Sequence, residues 1–249
     1  ETIKDQLKAN TFTLTGWTFK GWTEQANGSG AFYADGAVIT LKKGTEQNLH
    51  AQWIKVGDDG AITVPGKDNK PEGGDDITVK PNPDAGENGK PGVDKDGNIT
   101  IPGGGTVVTP DKEITLPGGG TLKQPEGTIV VPDKDGTGTI TIDPTKPEVP
   151  EGMFTVTYNS GAARQKESVV YALTGTTVKV AQNTFAYEDH VFGYWTNADS
   201  DKVKVGTDLT ATTVLTANWY AKNDKGEITI PGNPDGSTVI KPDPTNPDK

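Results

Sequence analysis

Two pairs of aspartates have the spacing that best suggests a binding chemistry. Asp94 and Asp96 are followed by Gly97, and Asp133 and Asp135 are followed by a glycine in the same way. This Asp-x-Asp-Gly order forms the middle of a calcium-binding loop, which also needs an acidic ligand two residues earlier and a glutamate further on. Glycine, valine or isoleucine occupies those outer positions here. The pattern therefore favours tight Asp-Gly turns between short strands over calcium sites.

Other catalytic and metal-binding residue types are scarce. The chain has no cysteine, which excludes disulfides, thiol catalysis and Cys-ligated zinc, and it has only two histidines, His50 and His190. The two histidines lie in different repeats and share no local carboxylate cluster. No Ser-His-Asp order or paired-carboxylate spacing stands out. We therefore predict that the protein is not an enzyme and has no cofactor or metal.

The net charge and the composition of the chain limit which partners and which kinds of fold are expected. The net charge of −10 has the wrong sign for nucleic acid or an anionic membrane, so we predict neither a nucleic-acid partner nor membrane insertion. Hydrophobic residues make up 31% of the 249 residues, and there are 32 glycines and 18 prolines. Such a composition argues against one large core. The chain also begins at Glu1, as a mature product or a fragment would.

The aromatic residues lie in two clusters, Phe12–Trp53 and Phe154–Tyr220, and residues 54–153 contain none. The clusters share a pattern. Each contains Asn-Thr-Phe, then a Phe seven residues later and a Trp-Thr three residues after that, and each closes on a tryptophan, Trp53 or Trp219. In this alignment His190 occupies the position of Trp17, which favours a packing role for that histidine. An internal repeat of this kind indicates a modular array.

The first cluster resembles a known family of modules. Gly16–Trp22 reads Gly-Trp-Thr-Phe-Lys-Gly-Trp, Tyr33–Ala37 reads Tyr-Ala-Asp-Gly-Ala, and Ala51–Trp53 reads Ala-Gln-Trp. These motifs resemble the internalin-type B-repeat, also called the Listeria–Bacteroides repeat. The second cluster adds the opening strand expected of that family, Phe154–Ser160, and departs from the family at Gly193-Tyr194-Trp195. The resemblance implies small β-grasp-like modules within a long bacterial surface protein.

The first module has no counterpart of Met153–Leu173, the segment that contains the opening strand of the second. Either the chain was cut at this point or a neighbour supplies the strand. A missing edge strand would leave unpaired backbone groups and an open groove. One hypothesis is that Ile228–Ile230 or Thr238–Ile240 of another copy enters this groove, which would assemble copies head to tail into a fibre.

Short runs of β-branched residues ending in proline fill the aromatic-free centre. Ile99–Pro110 and Ile114–Pro125 match at a period of 15 residues, and both contain Pro-Gly-Gly-Gly-Thr. One interpretation is a thin β-solenoid whose rungs pair in register, with Pro102 and Pro117 stacked at equivalent turns. The alternative is an extended, Pro-rich tether. Ordered strands are expected over residues 97–143, and less so over 66–96.

Several aromatic side chains are candidates for binding a ligand. The equivalent pairs Trp22/Trp195 and Trp53/Trp219 are expected to be buried core residues. Trp17 and Tyr220 differ between the modules and are freer to be exposed. We therefore predict Trp17, Tyr33 and Tyr220 as candidate ligand-facing aromatics.

The sequence thus predicts a mainly β protein with small α+β, β-grasp-like modules. The predicted parts are an incomplete module at 1–54, a Gly/Pro/Thr-rich β-solenoid or extended linker at 55–152, a complete module at 153–221 and a repeated linker start at 222–249. The expected function is a stalk, spacer or fibre segment of a secreted protein on the bacterial cell surface. The alternative is an adhesin module that binds a host protein or glycan.

Overall fold

The computed structural model describes residues 1–116, 118–230 and 238–240. The fold is mainly β, as predicted. It divides into two compact units: unit 1 contains residues 1–153 and 170–174, and unit 2 contains residues 154–169 and 175–249. The described residues contain no α-helix, and their helical turns are 3-10 turns at Pro83–Ala85, Glu87–Gly89 and Gly161–Ala163.

The first fourteen strands lie in unit 1. Their bounds are β1 (Thr2–Gln6), β2 (Thr18–Thr23), β3 (Phe32–Tyr33), β4 (Val38–Lys42), β5 (His50–Val56), β6 (Ile62–Val64), β7 (Ile77–Pro81), β8 (Gly92–Val93), β9 (Ile99–Ile101), β10 (Gly105–Val108), β11 (Lys112–Leu116), β12 (Gly120–Leu122), β13 (Ile129–Pro132) and β14 (Thr139–Ile142). Neighbouring strands of one sheet follow the order β11-β10-β7-β6-β5-β2-β3, and those of a second sheet follow β14-β13-β12-β9-β8. β1 pairs with β4 in a small separate ribbon.

The remaining strands form unit 2, apart from Met153 and the end of β16. They are β15 (Met153–Asn159), β16 (Glu167–Leu173), β17 (Val178–Lys179), β18 (His190–Thr196), β19 (Lys202–Val203), β20 (Asp208–Leu209), β21 (Thr213–Ala221), β22 (Ile228–Ile230) and β23 (Thr238–Ile240). Four of these strands are neighbours in the order β19-β18-β21-β15. β15 runs parallel to β21, whereas β18 and β21 are antiparallel.

The α+β character expected of the modules has little counterpart in the described residues. The connection from β15 to β16 contains only the single turn Gly161–Ala163. A stable helix needs many more residues than this connection provides, and glycine disfavours helix formation.

Alternating side chains explain why the aromatic-free linker forms strands. In Ile62–Val64, Ile99–Ile101 and Ile114–Leu116 the two outer apolar residues are buried and the central threonine is half-buried. This period of two places one face of each strand in a core and the other toward solvent. Each fully buried aliphatic side chain stabilises the fold by about 2 kcal/mol.

The solenoid prediction is wrong, because the linker strands pair antiparallel in two sheets. Val107 of β10 lies opposite Ile114 of β11, and Ile99 of β9 lies opposite Leu122 of β12. A solenoid would instead stack Ile99 on Ile114 in parallel rungs. The linker is not an extended tether either, since strands β9–β14 order the region 97–143 and residues 66–96 contain β7 and β8.

The 15-residue period has a different structural origin. Chain crossings between the two sheets occur from β9 to β10 and from β11 to β12, and each crossing contains one Pro-Gly-Gly-Gly segment. At the first crossing Gly103, Gly104 and Gly105 have φ of 87°, 82° and 154°, which other residues rarely adopt. Pro102 directly follows β9, as expected of a residue without an N–H. Pro117 lies outside the described residues.

Candidate functional site

The aromatic cluster of unit 2 is held by its own backbone. Phe185 and Phe192 pack edge-on or tilted against Trp195, with ring centroids 6.3 and 4.9 Å away. Phe192 also lies 5.9 Å from Trp219. The Asn183 side chain fixes the turn that places Phe185, since its amide donates to the Phe185 carbonyl and its oxygen accepts from the Phe185 N–H. Trp195 is 1% exposed, as expected of a core anchor.

Unit 1 reproduces these contacts at the positions that the sequence pattern aligned. Phe12 and Phe19 lie 6.1 and 4.9 Å from Trp22, and Phe19 lies 5.7 Å from Trp53. The Asn10 side chain bonds both the N–H and the carbonyl of Phe12, as Asn183 does for Phe185. The two units therefore share local packing geometry and not only residue spacing.

The strand register also agrees between the units. Phe19 lies opposite Trp53 and Trp22 opposite Ala51, while Phe192 lies opposite Trp219 and Trp195 opposite Ala217; both strand pairs carry an irregularity after the Phe. On the neighbouring positions Gln52 donates to Thr23 Oγ1 at 2.8 Å, and Asn218 donates to Thr196 Oγ1 at 3.0 Å. Trp22 and Trp195 are thus equivalent, and so are Trp53 and Trp219. The expectation that all four are buried is met at Trp195 alone of the four, because Trp22, Trp53 and Trp219 are half-buried.

Strands β15 and β16 have no counterpart among the aligned residues of unit 1, and β15 contacts the aromatic cluster of unit 2. Tyr158 of β15 lies opposite Leu215 of β21, and its ring packs 5.1 Å from that of Trp195. The Tyr158 hydroxyl accepts the N–H of Ala181, whose carbonyl accepts the indole N–H of Trp195. Just after β15, the Ser160 carbonyl accepts the indole N–H of Trp219 at 2.8 Å. Burial raises the pKa of Tyr158.

In unit 1 the corresponding region is an open groove of about 400 Å³, lined by Phe12, Thr13, Leu14, Trp22, Leu49, His50, Ala51 and Trp53. We call these eight residues the groove. Phe12 is 63% exposed and Leu49 is half-buried, whereas Leu215, the equivalent of Leu49, is fully buried. The indole N–H of Trp22 is buried without an acceptor among the described residues. The groove is therefore an apolar site with one unsatisfied donor.

The candidate ligand-facing aromatics have different environments. Trp17 is only 9% exposed, so the expectation that it is free to face a ligand is not met; its side chain belongs to the core of unit 1. Tyr33 is half-buried and its hydroxyl donates to Glu24 at 3.0 Å. Tyr220 is half-buried with its ring 6.1 Å from that of Tyr194, over whose face Lys202 Nζ lies at 4.1 Å. Trp17 and Tyr33 belong to unit 1, and Tyr220 belongs to unit 2.

The two histidines take part in packing. His190 occupies the position of Trp17. In both residues the backbone N–H donates to the carbonyl of the residue three positions earlier. The His190 ring stacks on Tyr187 at 3.8 Å, and its Nδ1 lies 2.7 Å from the Glu188 carbonyl. His50 lies in β5 and lines the groove.

The aspartate pairs form turns. Asp94 Oδ1 accepts the N–H groups of Asp96 and Asn98, and the Asp94 N–H donates to the Asn98 carbonyl, which closes the β8–β9 hairpin. Burial is the largest single influence on the pKa of Asp94 and raises it. The hydrogen bonds together, first those from Asn98, outweigh burial and hold this pKa below its usual value. Asp133 accepts from Thr137 in the same manner. Within the described ranges no group of three or more His, Asp or Glu could hold a metal ion.

Lys20 is a half-buried charged residue with a shifted pKa that the sequence pattern does not single out. Burial lowers its pKa to about 8, against the opposing attraction of Asp94. Its Nζ lies 5.9 Å from the ring centroid of Phe32. In the sequence Lys20 is one of several polar residues on an alternating strand, so no local signal distinguishes it. Its burial depends on the distant segment that contains Asp94.

A second cavity of unit 1, also of about 400 Å³, has a mixed lining of charged residues, glycine, proline and threonine. Its lining includes the acidic residues Asp75, Asp111 and Glu126 and the lysines Lys67 and Lys112. Asp75 Oδ2 accepts the N–H of Asp68, and its other oxygen is buried without a donor among the described residues. The Asp75 carboxylate thus fixes the backbone at Asp68.

Comparison with known proteins gives no relative from which a function can be transferred. No family model matches the chain. No curated protein and no solved structure matches it either. In the described part of the chain, no helix has the length and apolar character needed to span a membrane.

Proposed function

We propose that this chain is a structural segment, a stalk, spacer or fibre element, of a secreted protein on the bacterial cell surface. The observation that carries the proposal is the repeated packing geometry of the two units. The same Asn-Thr-Phe turn, the same aromatic contacts and the same strand register occur in both. Repetition of one packing unit lengthens a chain without adding a new chemistry.

The surface location is part of this proposal. It is supported by the resemblance of Gly16–Trp22 and Ala51–Trp53 to B-repeat modules and by the acidic composition of the chain. The linker also supports a spacer role, because its strands pair in sheets and bury aliphatic side chains, so that it is folded rather than extended polypeptide. A folded spacer resists proteolysis better than a tether, since its backbone is hydrogen-bonded.

An adhesin is the second candidate, and the tyrosine pair of unit 2 favours it. Tyr194 and Tyr220 lie 6.1 Å apart and both keep part of their surface exposed. Adjacent aromatic rings with a lysine nearby are a common type of surface for sugars and peptides.

A binding panel combined with single-molecule pulling tests the proposal. A structural segment should show no saturable binding to immobilised host glycoproteins or glycans, and it should unfold under force in discrete steps as folded units open. Saturable binding that Tyr220→Ala removes, with unfolding unchanged, would instead establish the adhesin. The matched control is Tyr33→Ala, which removes a half-buried tyrosine from unit 1.

A further inference from the structure

The groove of unit 1 occupies the register that β15 fills in unit 2. We propose that the groove is the docking site for one extended β-strand with the chemistry of β15, which runs parallel to residues 47–50 and places an aromatic ring beside Trp22. The proposal rests on the equivalence of the two units, and it does not require the stalk function.

The edge of β5 supports this assignment. In unit 2, β21 begins at Thr213, and residues 213–216 are those that pair with Val156–Asn159. The equivalent residues of unit 1 are 47–50, yet β5 begins only at His50, and Gln47–Leu49 lie outside any strand. β5 therefore starts three residues later than β21, and these three residues are among the four that lack a partner strand. A docked strand would extend β5 by these residues.

The unsatisfied indole gives the second, independent observation. In unit 2 the Tyr158 hydroxyl accepts the N–H of Ala181, and the Ala181 carbonyl accepts the indole N–H of Trp195. Lys8 is the residue of unit 1 that corresponds to Ala181. No tyrosine holds Lys8 in this way, and the indole N–H of Trp22 is buried with no acceptor among the described residues. A buried donor without a partner destabilises the fold, and strand docking would supply the missing acceptor by fixing the Lys8 carbonyl.

The chemistry of β15 specifies the occupant. Alternating apolar residues and threonines lead to Tyr158, and Asn-Ser-Gly follows. The glycine is required because Gly161 has φ of 60° and because a Cβ there would lie 2.5 Å from the Ala217 carbonyl oxygen. The occupant of the groove should thus read apolar-Thr-apolar-Thr-aromatic-Asn-Ser-Gly, with its glycine against Ala51.

The C-terminal strands of a second copy fit this description poorly. Ile228–Ile230 already pairs with β23, and neither strand contains an aromatic residue or a following Asn-Ser-Gly. The occupant we propose is therefore a separate strand of the β15 type and not the head-to-tail donor that the sequence alone suggested.

A synthetic peptide with the sequence of residues 151–163 tests the proposal on the full chain. The peptide should bind one to one with a Kd below about 1 mM. Binding should slow hydrogen exchange at the Leu49 amide and the Trp22 indole, and should leave the Trp195 indole unchanged. A peptide with Tyr158→Ala should bind at least about ten-fold more weakly. A chain with an additional copy of residues 153–173 ahead of Glu1 should show the same protection without peptide.

Matched variants of the chain locate the peptide. Phe12→Ala removes an exposed wall of the groove and should weaken binding about ten-fold, whereas Val38→Ala removes an equally exposed apolar side chain elsewhere and should change it less than about two-fold. Equal effects of the two variants, or protection of Trp195 instead of Trp22, would overturn the proposal. So would the absence of protection with both the peptide and the added copy.

Self-association decides between occupants. If the chain alone forms larger species with rising concentration and the peptide disperses them, a second copy occupies the groove and the proposal is wrong. Larger species that the peptide binds without dispersing form through another surface and agree with the proposal. None of these measurements depends on binding to host molecules, so failure of the docking proposal and failure of the structural role are distinguishable.

Discussion

Replacing leucine by alanine at equivalent positions of the two units measures how much β15, which unit 1 lacks, contributes to stability. Leu215 of β21 is fully buried and lies opposite Tyr158 of β15, whereas Leu49 is half-buried in the groove. Leu→Ala at a fully buried site costs about 3–4 kcal/mol, because the transfer energy and the cavity both count. At a half-exposed site the cost is about 1 kcal/mol. We therefore expect Leu215→Ala to destabilise unit 2 by about 2 kcal/mol more than Leu49→Ala destabilises unit 1.

Hydrogen exchange followed separately for each unit provides the assay. Amides paired between β18 and β21 report on unit 2, and those paired between β2 and β5 report on unit 1. A difference of about 2 kcal/mol corresponds to roughly thirty-fold in the exchange rate of globally protected amides. The control is Val214→Ala, which removes an exposed side chain next to Leu215 and should change exchange by less than about three-fold.

Equal costs for the two leucines would refute the reasoning. That result would mean that the groove already buries Leu49 in solution and that unit 1 needs no further strand. A large cost for Val214→Ala would also contradict it, because the effect would then come from the strand as a whole and not from the contact with β15.

Three further changes test other parts of the structure. Lys20 has a pKa of about 8 in the folded chain and 10.5 in the unfolded chain, so the unfolded chain binds more protons between these pH values. The free energy of unfolding should therefore rise by about 1–3 kcal/mol from pH 8 to 10.5 in denaturant titrations. Lys20→Met should remove this rise, whereas the exposed Lys55→Met should keep it. Gly105→Ala should lower the Tm by several degrees, roughly 2 kcal/mol, because a Cβ would lie 2.4 Å from the Lys80 carbonyl oxygen, whereas Gly118→Ala, with open space around it, should leave the Tm nearly unchanged. Asp94→Ala should destabilise unit 1 by about 1–2 kcal/mol by removing the turn hydrogen bonds, with the same loss in calcium and in chelator; a loss seen only in calcium would mean that the loop is a metal site after all.

The amino-acid sequence alone determined the local features of this protein. The aromatic spacing predicted the equivalent pairs Trp22/Trp195 and Trp53/Trp219, because a repeated strand register places the same residue types at the same positions. Alternation of apolar residues and threonine predicted the strands of the linker, since a period of two decides which side chains share a face. Asp-Gly steps predicted turns, because the carboxylate and the flexible glycine act within a few residues of each other.

Only the tertiary structure decided which strands are neighbours. A period-two pattern fixes the buried face of Ile99–Ile101 but carries no information about its partner, so parallel rungs and antiparallel sheets were equally compatible with the 15-residue repeat. The burial of Trp17 and Lys20 likewise depends on segments distant in the sequence, as does the exposure of Leu49, which follows from the lack of a strand where unit 2 has β15. Burial is a property of what covers a residue, and the covering segment is chosen by long-range packing that no local pattern specifies.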